Sequence, residues 1–79
     1  IYTANFTLEK DLQKAFELLQ KSADQGFAEA QNNLAFYYST GIDETNFKLE
    51  KDLQKAFELL QKAADQGLAI AQNNLAFYY

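Results

Sequence analysis

Residues 1–38 return at 42–79 almost unaltered: 31 of the 38 aligned positions are identical, and the exceptions are positions 2, 3, 4, 7, 22, 27 and 29. The block Leu8 to Lys21 recurs without change as Leu49 to Lys62. A period of 41 residues falls in the range of repeat proteins. There each unit is too small to bury its own apolar face and gains a core only by stacking on its neighbour. At 79 residues the chain makes one small domain and not two, so both copies must share one core.

The period inside each copy is helical. Leu8 to Gln25 reads as an amphipathic helix, since at about 100° per residue Leu8, Leu12, Ala15, Phe16, Leu19 and Ala23 form one stripe. Glu9, Lys10, Gln13, Lys14, Glu17, Gln20 and Lys21 cover the other side. The helix starts either at Leu8 or after Asp11, a residue type suited to an N-cap. Glu17 with Lys21, and Glu58 with Lys62, stand at the spacing of favourable ion pairs. Gly26 and Gly67 occupy the place where a left-handed residue closes a helix.

A shorter helix is expected from Ala28 to Tyr38 and again from Ala69 to Tyr79. Ala30, Leu34, Tyr37 and Tyr38 make its stripe, with Gln31 and Ala35 beside it. Between Gln25 and Ala28 there is room only for a tight turn, so each long and short helix should pair antiparallel. Ser39 to Lys48, with Gly41, Asp43, Thr45 and Asn46, reads as a loop, and no strand pattern is visible. The Tyr pairs 37–38 and 78–79 are expected between helices with their hydroxyls at the edge. The conservative pair Phe27 and Leu68 is expected in the core. The fold expected is all-α: four helices in antiparallel hairpins stacked as a solenoid. No polar capping helix follows Tyr78 and Tyr79, so the chain reads as an ordered fragment of a longer array.

The residue types that are absent exclude much chemistry. The sequence has no Cys, His, Met, Trp, Arg, Pro or Val. A disulfide framework and a Ser–His–Asp or Cys–His catalytic set are therefore excluded within it, and a structural zinc site is not expected. A net charge of −4, with no Arg, opposes binding to a phosphate backbone or an anionic membrane. No run is apolar enough for a membrane helix, and the first residues show no leader pattern. Asp11 and Asp52, Glu17 and Glu58, and Asp24 and Asp65 recur in both copies, which favours solvated-face or capping roles over an active site. No catalytic residue, metal or cofactor is expected, and the chain reads as no enzyme.

Specific positions carry a family resemblance. Ala28-Glu29-Ala30-Gln31-Asn32-Asn33-Leu34-Ala35, then Tyr37-Tyr38 and Gly41, resembles the first helix of a Sel-like repeat, an α/α relative of the tetratricopeptide repeat. Lys51-Asp52, Lys55-Ala56, Lys62-Ala63-Ala64 and Gly67 resemble its second helix. In that frame residues 27–67 form one complete repeat, 8–25 an orphan second helix, and 68–79 the first helix of the next repeat. Ala35 and Ala76 depart from a usual Gly, Leu59 from a frequent aromatic, and Gly41 to Leu49 lengthens the usual turn. The resemblance implies a right-handed α/α superhelix and a role as a protein–protein interaction scaffold or adaptor.

In such stacks the first helix lines the concave face. The polar side of the short helix there presents Glu29, Asn32, Asn33 and Phe36, and in the second copy Ile70, Asn73, Asn74 and Phe77. Asn amides complement the donors and acceptors of a peptide backbone, and a Phe supplies an apolar anchor. These eight residues are the candidate peptide-binding face. Alternatively, Asn32 and Asn33 bond neighbouring backbone, and Phe36 packs against the adjacent hairpin. The partner expected is a protein or peptide, with end-to-end self-association also open because apolar helix faces remain at both sides. The other functional reading is a regulatory or structural segment of a larger protein whose enzymatic domain lies outside this chain.

Overall fold

In the computed structural model, which describes residues 11–79, four helices follow one another: α1 Leu12–Asp24, α2 Ala28–Thr40, α3 Leu53–Asp65 and α4 Ala69–Ala76. Two short strands, β1 Ile42–Asp43 and β2 Lys48–Leu49, lie between α2 and α3. The expected all-α stack of helix hairpins is the fold that forms.

Local chemistry explains the helix limits. Asp11 accepts a hydrogen bond from the Lys14 amide at 3.0 Å, and Asp52 accepts from Lys55 at 3.0 Å. Of the two possible starts, the long helix therefore begins after the aspartate, whose side chain satisfies an otherwise unpaired amide. Leu8 lies outside the described residues. At the other end Gly26 takes φ +95° and Gly67 φ +91°. The Gly26 amide donates to the Ala23 carbonyl at 2.9 Å and that of Phe27 to Ser22 at 3.4 Å. The same two bonds recur at Gly67 and Leu68, so both helices close in a Schellman motif.

Neighbouring helices run antiparallel. Phe16 near the start of α1 meets Tyr38 near the end of α2, with ring centroids 5.8 Å apart. At the opposite end Gln31 Nε2 donates to the Ala23 carbonyl at 3.3 Å. The second pair repeats this plan, with Phe57 against Tyr79 at 5.8 Å and Gln72 Nε2 donating to Ala64 at 3.2 Å. α2 and α3 join the copies: the Asp52 amide donates to the Tyr38 carbonyl at 2.8 Å, and Gln66 Nε2 to Gln31 Oε1 at 2.8 Å. α2 therefore lies between α1 and α3 and also touches α4. Leu34, Ala35, Ala56, Leu60, Ala63 and Ala71 form the centre of the core. The alanines let α2 and α3 approach closely, and Leu34 has no exposed surface.

Several expectations are corrected. The segment expected as a plain loop contains an antiparallel ladder, Ile42 opposite Leu49 and Asp43 opposite Lys48. It closes with the Glu44 amide donating to the Phe47 carbonyl at 3.0 Å, and Lys48 and Asp43 form an ion pair across it. Two residues per strand are too few to show an alternating pattern. α2 runs on to Thr40, two residues beyond Tyr38, whereas α4 stops at Ala76, followed by i→i−3 bonds.

Glu17 and Glu58 do not pair with Lys21 and Lys62. They accept instead from Gln13 at 3.3 Å and Gln54 at 3.1 Å, one turn back. An exposed lysine loses entropy and hydration when pinned, so an amide can take its place. Phe27 is 63% exposed and not in the core, while Leu68 packs against it. Leu68 has Glu29, Asn32 and Asn33 of α2 beside it, and Phe27 has no such helix among the described residues. Tyr37, Tyr38 and Tyr78 are half-buried, but Tyr79 is 86% exposed for the same reason.

Candidate binding face

α2 and α4 are the same element in successive copies, and they touch. A direct bond joins them one residue out of the 41-residue equivalence: Asn74 Nδ2 donates to Asn32 Oδ1 at 3.1 Å. Asn32 thus bonds an amide of the neighbouring copy and not nearby backbone. Among the described residues the side chains of Asn33 and Asn73 make no hydrogen bond, and both are exposed to water.

Beside this bond lies a groove of about 360 Å³, walled by Asn32, Asn33, Phe36, Asn74 and Phe77, with Leu60 and Tyr78 in its lining. An adjoining hollow of about 330 Å³ is formed by Glu29, Asn32, Asn33, Leu68 and Ile70. Seven of the eight residues expected on this face therefore line two neighbouring hollows that share Asn32 and Asn33. Asn73 lines neither. Phe36 shares its hollow with Leu60 and Phe77 of the adjacent hairpin and is 63% exposed; Ile70 is 56% and Phe77 83% exposed.

Leu60, Leu68, Tyr78 and Ser39 belong to the lining and escaped the helical wheel. Leu68 carried a signal, since position 27/68 differs between the copies. Ser39 carried none, and its hydroxyl donates to the Phe36 carbonyl at 2.7 Å, within its own helix.

Among the described residues, Glu29 is the one carboxylate or lysine lining the two hollows, whose other walls are mainly apolar side chains and asparagine amides. The arrangement suits recognition by shape, apolar contact and amide hydrogen bonds. A larger hollow of about 700 Å³ lies away from this face, between Asp11, Leu12 and Gln13 and the turn at Glu44 to Phe47. The Asp11 carboxylate there is engaged as the α1 cap. No helix among the described residues is long and apolar enough to cross a membrane.

A family model described as Sel1 repeat matches residues 5–27, 28–68 and 69–79. The middle match contains α2, the β-hairpin and α3. Comparison with curated proteins returns no match.

Proposed function

The chain belongs to the Sel1 repeat family, whose repeats are protein–protein interaction modules, and from this premise we propose that it is a non-catalytic scaffold or adaptor binding a peptide or protein segment along the α2–α4 face. The observation that carries the reading is the exposure of Phe36, Ile70 and Phe77 together on one groove-bearing face. Isolated exposed apolar residues are ordinary, but a cluster lining a groove beside unpaired amides is the composition of a recognition surface. Phe36 and Phe77 act as the anchors. The amides of Asn33 and Asn73 meet the partner's backbone, since those of Asn32 and Asn74 already engage one another. Within this reading residues 27–67 act as one whole repeat, with 8–25 and 68–79 as parts of its neighbours.

The test is a peptide-display selection on the wild-type chain, followed by fluorescence polarisation with Phe36→Ala/Phe77→Ala. Loss of two anchors of about 1.4 kcal/mol each predicts affinity lower by about a hundredfold. The helical circular dichroism should be unchanged, because both rings are exposed. Selected peptides that bind the double variant as tightly as the wild type would overturn the assignment.

A further inference from the structure

α1 and α3 share one sequence but not one environment. In α3, Ala56, Leu59, Leu60 and Ala63 are buried against the neighbouring helices, whereas in α1 Leu18 is 61% exposed and Ala15, Leu19 and Ser22 are only half-buried. The converse holds on the other side of the stack. Gln31 and Ala35 of α2 are buried where α3 covers them, and their counterparts Gln72 and Ala76 of α4 are exposed. One side of the molecule thus displays the surface that α3 uses, and the other displays the surface that receives it.

We propose that a second copy of this chain docks head to tail, α1 of one copy on α4 of the next, repeating the α2–α3 contact found within each chain. That internal contact specifies what would form. Gln66 donates to Gln31 at 2.8 Å, so Gln25 donates to Gln72 of the neighbouring copy. Lys55 Nζ lies 5.9 Å from the ring centre of Tyr38, so Lys14 lies over Tyr79 of the neighbouring copy. Asn74 donates to Asn32, so Asn33 donates to Asn73 of the neighbouring copy. Asn33 and Asn73, whose side chains make no hydrogen bond among the described residues, are the two that this junction pairs.

Each of these residues is identical to its counterpart in the internal contact. The junction also gives exposed Phe27 a helix to pack on, as α2 does for Leu68. Two different surfaces meet, so the contact is heterologous, and repetition builds an open filament or a ring according to whether the rotation closes. This goes beyond binding of a partner on the α2–α4 face: where copies dock, Asn33 and Asn73 pair with one another instead of meeting a partner's backbone, and Phe36 and Phe77 remain as the anchors.

Sedimentation velocity on the wild-type chain and two exposed-position variants tests the proposal. Leu18→Glu blocks the α1 side and Ala76→Glu the α4 side, and circular dichroism checks that each remains folded. Wild type should grow in size with concentration, each variant alone should stay monomeric, and an equimolar mixture should give a one-to-one dimer through the single intact junction. A wild type that is monomeric at every concentration overturns the proposal. So do variants that assemble as wild type does, which would place the contact on another face, and so does a mixture that stays monomeric.

Discussion

Leu18 and Leu59 sit in the same unchanged block of sequence, 41 residues apart, and are 61% and 8% exposed. Replacing each with Ala therefore measures tertiary packing with local sequence held constant: helix propensity and the aspartate cap change equally. Burying a leucine side chain contributes about 1.5–3 kcal/mol, and deleting one from a core adds a cavity term. Leu59→Ala should cost about 2–4 kcal/mol. Leu18 has roughly two-fifths of that burial, and Ala regains a few tenths as the better helix former, so Leu18→Ala should cost about 0.5–1 kcal/mol.

A chain this small is held by as little as about 4 kcal/mol, so Leu59→Ala removes half or more of its stability. Urea unfolding followed by far-ultraviolet circular dichroism, in dilute solution where wild type is monomeric, reads the difference. With a slope of about 1 kcal/mol per molar, a 2 kcal/mol gap separates the midpoints by about 2 M. Equal shifts, or a larger one for Leu18→Ala, would show that the unequal burial of the two leucines is not what stabilises the stack.

Two further substitutions test single features. Gly41 has φ +74°, and a Cβ there would lie 3.0 Å from the Leu49 carbonyl oxygen and 3.1 Å from the Lys51 amide, whereas at Gly26 it would meet nothing within 4 Å. Gly41→Ala should cost about 2–3 kcal/mol, against about 1–2 kcal/mol for Gly26→Ala, which pays only for positive φ; thermal melts rank the two. Buried Gln31 donates to Ala23 and accepts from Gln66, so Gln31→Ala should cost about 1–3 kcal/mol. A double-mutant cycle with Gln66→Ala should return a coupling of about 0.5–1.5 kcal/mol, and a coupling of zero would sink the reading that this amide pair ties the copies together.

The candidate face shows how far a helical wheel reaches. It places Glu29, Asn32, Asn33 and Phe36 on one side of α2, because angle around a helix follows from residue spacing alone. It does not give the offset between α2 and α4. That offset decides that Asn74 meets Asn32, that Asn33 and Asn73 make no side-chain hydrogen bond among the described residues, and that Asn73 stands outside both hollows. The β-hairpin at Ile42–Leu49 was illegible for a different reason. Its pairing is a property of two segments meeting, and each is too short to show a period.

Sequence by itself determined the period, and it determined the helices and their glycine stops, since these depend on residues within a turn or two of one another; that the long helices start after Asp11 and Asp52 was decided by the structure. It also determined membership of the Sel1 repeat family through residues at fixed spacing. Only the tertiary structure decided which copy of an identical residue is buried. Leu59 is covered and Leu18 is not, and Leu68 packs where Phe27 stays in water. Burial is conferred by the neighbouring helix, and two copies of one sequence at different places in a stack have different neighbours.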